Sequence, residues 1–409
     1  MSSSVTVVGG VNNSTISGLV SVPVAGLSST ALSGLQSSLS SLSASVAGGS
    51  LGLANDDLIS GTPTFSIPTL TGAPYVLELT NTASNGSVTG GTYSGAVAVQ
   101  SIYNTVIAQV PGALTLTGSG STNTNYILGA STNVDLSTNG ATNTILAAGG
   151  NDTINMQGSN FVTASGGADV LKTYSGNNTV VATGSASVFA GTPSGFSGKL
   201  DFISTSTAAA TIFAGSGSAT VSAGVGGGTV LGGTGGNNSL TGGSGSVYFV
   251  GGGNGDTLAA GFGGAATVTS PNYLFAGTGN ETLLASSVTG TNLLQAGSGT
   301  DIMSASGSGT QYFFGSTGSA TMTGSTMSGA NNVYFFGTAS NSGGHDVITN
   351  FGKNSELIAL NGTKIESITS SQLNGAPAAL VTLTDGTNIS LIGVQAASIS
   401  GAQNGTVIT

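Results

Sequence analysis

A chain of 409 residues with 70 Gly, no Cys, 4% charged residues and a formal net charge of −10 offers nothing to a phosphate backbone and no thiol for redox chemistry. Nucleic-acid binding and disulfide or cysteine chemistry are excluded on those grounds. Low charge combined with a mean hydropathy of +0.31 also argues against intrinsic disorder, which needs high charge and low hydropathy.

The start of the chain, Met1 to Gly10, lacks the basic stretch and long apolar run of a secretory signal. No segment reaches the ~18 uninterrupted apolar residues of a membrane-spanning helix. Residues 1 to about 25 read as extended and Val-rich. Leu32, Leu35, Leu39, Leu42 and Val46 then step by 3, 4, 3 and 4, which predicts a helix over 31–47, closed by Gly48-Gly49. Ser fills its other face, so the helix needs a partner surface, either its own domain or another subunit. Residues 50–112 alternate apolar and polar in short runs such as Tyr75–Leu79, and complete a β-rich N-terminal domain over 1–112.

From residue 127 apolar residues recur about every nine positions: Ile127, Leu136, Ile145, Ile154, Val162, Leu171, Val180 and Val188. Ile212, Val221, Val230, Leu240, Phe249, Leu258 and Val268 keep the beat, and Phe275, Leu283, Leu293, Ile302, Phe313 and Met322 resume it after Pro271. Nine fits neither a helix face nor an uninterrupted strand. It fits a short strand and a tight turn, two such units making one coil of a β-solenoid over 113–340. The expected fold class is therefore all-β, a solenoid between the β-rich N-terminal domain and a C-terminal β cap over 341–409. Within the aromatic pairs Tyr248-Phe249, Phe313-Phe314 and Phe335-Phe336, one ring should point inward and its neighbour outward, where a row of rings forms a contact surface.

The turns Gly150-Asn151-Asp152-Thr153-Ile154, Gly167-Ala168-Asp169-Val170-Leu171 and Gly253-Asn254-Gly255-Asp256-Thr257-Leu258 resemble the nonapeptides of repeats-in-toxin (RTX) β-rolls. In that family the aspartates bind Ca²⁺ between successive coils. The resemblance implies Ca²⁺ sites at Asp152 and Asp169, one coil apart, at Glu281 and Asp301, and at Asp256, which has no acidic residue at one coil's spacing. Asn178, Asn238, Ala219 and Ala320 stand where other aspartates would be, so the alternative is a coil held by Asn, Ser and Thr hydrogen-bond ladders. No other cofactor is implied.

Gly344 to Phe351, Glu356 to Gly362 and Leu380 to Val394 resemble the closing segment of type I secreted RTX proteins. That resemblance implies export to the cell exterior or surface on an uncleaved C-terminal address. His345 is the sole histidine and lies in this segment, so a Ser–His–Asp triad has little support and the chain reads as a non-enzyme. Two readings remain. One is a self-assembling extracellular structural protein, forming a filament, surface layer or biofilm matrix, with copies of itself as partner. The other is an adhesin or other surface-binding solenoid, for a cell-surface polysaccharide or for ice; regular outward Thr-x-Thr rows would favour ice, and Thr is scattered along the sequence.

Overall fold

The computed structural model describes residues 4–8, 11–12, 15–16, 19–23, 44, 52–57, 75–80, 93–109, 112–118, 123–129, 132–191, 198–261, 271–286, 290–337, 344–352, 354–399 and 405–409. The chain divides into two compact units, Met1–Ser206 and Thr207–Thr409. Each is a β-solenoid with about 19 residues per turn. Among the described residues only Ala44 and the 3-10 turn Ala396–Ser398 are helical. The helix expected over 31–47 otherwise lies outside the described residues.

Each coil contributes one short strand to each of two parallel sheets. In the first unit one sheet stacks Asn125–Leu128, Thr144–Ala147, Phe161–Ala164, Asn178–Ala182 and Lys199–Ser204. The other stacks Gly112–Thr117, Thr132–Ser137, Thr153–Met156, Ala168–Thr173 and Ser185–Ala190. Parallel pairing reaches back upstream of residue 113, through Gly52–Asp57, Tyr75–Thr80 and Tyr103–Gln109. Ser4–Val8 pairs with Leu19–Pro23 in an antiparallel hairpin.

Strand alternation sends one column of each sheet into the coil. Val162, Val180, Leu171 and Val188 are fully buried and lie in register with their neighbours one coil away. The nine-residue beat therefore marks the core, with local slips of one position. Tyr126 rather than Ile127 pairs with Ile145, and Leu294 rather than Leu293 lies inward. Met303 fills the core where the beat indicates Ile302, which is 53% exposed; Leu274 replaces Phe275 in the same way. In each case two adjacent apolar residues left the phase ambiguous, and period-2 alternation admits only one of them. The aromatic pairs divide as expected: Phe249, Phe313 and Phe336 are buried, whereas Tyr248, Phe314 and Phe335 lie outward.

At the C-terminal end of the second unit, parallel stacking stops. Asn388–Ile392 pairs with His345–Ile348 and carries the antiparallel strands Ala376–Leu383 and Ile365–Leu373. Val407–Ile408 runs antiparallel along Ser355–Ala359. The Asn374-Gly375 turn that joins the long pair has positive φ at both residues, 53° and 79°, as a tight hairpin turn requires.

Candidate functional site

The polar side chains that the sequence singles out gather at the corners of the coils. A turn between strands leaves backbone N–H groups without a ladder partner, and a short side chain with an oxygen satisfies them. Close approach of successive turns is part of this arrangement: a Cβ on Gly167 would lie 1.3 Å from the Gly150 carbonyl oxygen, and one on Gly299 1.6 Å from that of Gly279. Only glycine fits such positions.

One corner of the first unit is an asparagine column. Asn160 Oδ1 accepts from the Asn143 backbone N–H at 3.3 Å and from its Nδ2 at 2.9 Å. Asn178 Oδ1 accepts from Asn160 N and Nδ2 at 3.1 and 2.9 Å. The Asn160 amide also donates to the carbonyls of Gln157 and Gly158 in its own turn, at 3.2 and 3.1 Å. Asn143 Oδ1 extends the column to the Thr124 N–H at 3.0 Å.

The opposite corner of the same unit carries carboxylates. Asp152 Oδ1 accepts the Val134 N–H at 2.8 Å, and Asp169 Oδ1 accepts the Asp152 N–H at 3.1 Å across 17 residues. Asp152 and Asp169 therefore stack one coil apart, as their spacing implies. Both are 1% exposed, and the Oδ2 of each has no hydrogen-bond partner. Burial pushes the Asp152 carboxyl up to about 7, against the Val134 N–H and with added repulsion from Asp169. Burial likewise raises Asp169 to about 6, with the Asp152 N–H opposing.

The second unit mixes the two chemistries in one column: Ala219, Asn238, Asp256, Glu281, Asp301, Ala320 and Asp346. Asn238 Oδ1 accepts the Ala219 N–H at 2.8 Å, and Asp256 Oδ1 accepts Asn238 N and Nδ2 at 2.8 and 2.9 Å. Asp256 Oδ2 also closes its own turn on the Gly252 N–H at 2.7 Å. Asp301 Oδ1 accepts the Glu281 N–H at 2.9 Å, and its Oδ2 the Gly297 N–H at 2.7 Å. Asp256 does have an acidic neighbour, contrary to its sequence spacing: Thr257 pairs with Thr282, which brings Glu281 one coil away. The intervening coil spans 25 residues, against 18 from Asn238 to Asp256, so counting residues hides the juxtaposition. Burial drives the Glu281 carboxyl well above the ordinary range, and Asp301 and Asp256 add to the effect.

Asp346 is a member that the sequence conceals, because it lies within the export-like segment. It is fully buried, its Oδ1 accepts the Ala320 N–H at 2.9 Å, and its Oδ2 is unpartnered. Burial, opposed by that N–H, raises its carboxyl to about 7. Its neighbour His345 is exposed. A second amide column, Asn272 to Asn292 at 2.9 Å and Asn292 to Gln311 at 2.7 Å, occupies the other corner of this unit.

Calcium takes about six to eight oxygens in one shell. Spare oxygens exist on Asp152, Asp169 and Glu281. However, no three acidic or His side chains converge on one point among the described residues. Backbone N–H groups also point into each corner, an arrangement that attracts anions rather than cations. As placed, these carboxylates brace one turn to the next. The surface depression of about 390 Å³ in the second unit is lined by Asn331, Asn354, Glu356 and Thr409 among others, with Glu356 as its ionisable side chain. None of the described helices is long and apolar enough to cross a membrane. No protein-family model matches the chain, and no curated protein resembles it in sequence.

Proposed function

We propose that this protein is an extracellular structural component that assembles with copies of itself. The observation that carries the reading is the fate of its reactive groups. Asp152, Asp169, Asp256, Asp301 and Asp346, all candidates for chemistry by residue type, are buried and accept backbone N–H bonds from the preceding coil. Polar side chains spent on holding coil to coil are unavailable to a substrate. What remains on the outside is a repetitive, weakly charged surface, which suits lateral packing of many copies. Export follows from the RTX-like resemblance of residues 344–394, a segment that also forms the end of the second unit. Electron microscopy and light scattering of the purified full-length protein test the reading. Ordered filaments or sheets are expected, and a chain that remains monomeric at high concentration overturns it.

A second reading, a surface-binding module, is favoured by one face of the second unit. Thr220, Ser239, Thr257 and Thr282 come into register there as an outward column. Thr scattered along the sequence is thus gathered by the coil, although Ile302 interrupts the column before Thr321.

A further inference from the structure

The two outer faces of the second unit carry different side chains on the same backbone. Opposite the Thr and Ser column, the sheet running from Gly228–Leu231 to Ser355–Ala359 turns aromatic residues outward. Tyr248 pairs with Tyr273, and Val250 with Phe275, on adjacent strands; Phe314 pairs with Phe335 further along, beside Tyr312. We infer that this aromatic face is where a second copy of the chain docks, laterally and face to face. The inference rests on the self-assembly reading above and names its contact.

The rings are already ordered before any partner arrives. Phe314 and Phe335 stack with centroids 4.6 Å apart and planes 16° apart. Tyr248 lies 5.1 Å from Phe275, and Tyr312 6.0 Å from Phe335. Little side-chain entropy is left to lose on docking. Phe314 and Phe335 spend a face on one another and so present their edges to the outside. Sugar stacking needs free ring faces, so a polysaccharide is the poorer occupant. Interdigitating apolar side chains need only the edges and the grooves between them.

Charge points the same way. On the outward columns of this sheet the charged residue is Glu356, at the last strand, so a second copy meets no patch of like charge. Strands ~4.8 Å apart and about four residues wide give a face of roughly 30 by 13 Å, so a pair buries roughly 800 Å² through it, the size of a weak, reversible contact. The end of the coil is a poorer route. Its last parallel strands are covered by antiparallel ones, which cannot template another parallel coil.

Sedimentation velocity on the full-length protein tests this. The variants are Phe314→Glu and Phe335→Lys on the aromatic face, Phe335→Thr as a milder change, and Thr323→Glu on the opposite face. Circular dichroism melts check that each folds. A charge buried in the contact should raise the concentration for half-assembly at least about tenfold, and Thr323→Glu should leave it unchanged. Should the charged variants fail to fold, Phe335→Thr should still shift assembly in the same direction. Wild-type protein that assembles, with aromatic-face variants that assemble as tightly as Thr323→Glu, overturns the face and leaves self-assembly standing. Wild-type protein that stays monomeric overturns both. Monomers that cosediment with microcrystalline cellulose assign the face to sugars and overturn the inference.

Discussion

Two corners of the first unit solve one problem with different atoms. Asn143, Asn160 and Asn178 each supply an acceptor to the previous coil, and Asn160 and Asn178 turn their donors back on their own turns. Asp152 and Asp169 have no amide to turn back on their own turns, so one oxygen braces the neighbouring N–H and the other is buried without a partner. An amide ladder is complete at any pH. A carboxylate ladder is comfortable only while the group stays protonated, which is what raised pKa values at Asp152 and Asp169 express. The lesson is that Asn and Asp, interchangeable by size and in a repeat pattern, differ in what they do to stability.

The comparison breaks most severely where both corners share a requirement, the touching of successive backbones. Gly167→Ala puts a methyl group into the Gly150 carbonyl; a loss of about 3–5 kcal/mol, or failure to fold, is expected in urea denaturation. Asn160→Ala comes next. It orphans the Asn143 donors and the Gln157 and Gly158 carbonyls, at a cost of about 2–3 kcal/mol that is the same at pH 5 and pH 8. Asn160→Asp sharpens the contrast by moving one corner's chemistry into the other. It should cost about 2 kcal/mol at pH 8 and little at pH 5. Asp152→Asn is the reverse exchange and the smallest effect, a gain of about 1 kcal/mol at pH 8 that vanishes at pH 5. Denaturant titrations at the two pH values read out all four.

Much of this was legible in the chain itself. The beat from Leu136 to Val188 marks residues that are fully or almost fully buried, and the 17-residue spacing of Asp152 and Asp169 places them one above the other. Two things were hidden. Insertions lengthen some coils, so Asp256 and Glu281 are neighbours despite a separation of 25, and Asp346 joins the column across 26 residues from Ala320. Side-chain direction was hidden as well. A Gly-rich turn with Asp reads the same whether its carboxylate faces outward to a cation or inward to an N–H, and only backbone geometry distinguishes them. The asparagine column had a signal that composition obscured: Asn143, Asn160 and Asn178 lie 17 and 18 apart, each at the start of a strand. The aromatic face was half legible, because the paired rings announce an outward member but not that those members line up.

The central claim is that Asp152, Asp169 and Asp346 brace the coil as protonated carboxyl groups. Their sign under pH follows directly. Asp152 and Asp346 titrate near 7 in the folded chain against an ordinary 3.8. Their contribution is therefore fully present below about 4 and is lost as pH rises through about 7, because over that interval the unfolded chain gives up protons that the folded chain keeps. The most direct measurement is urea denaturation of the full-length protein at pH 5 and pH 8, each with calcium and with chelator. Stability should be greater at pH 5 by on the order of 3 kcal/mol, and calcium should change it by less than about 1 kcal/mol at either pH. A protein that is more stable at pH 8, and only when calcium is present, would contradict the account, because it would make the same carboxylates ionised ligands.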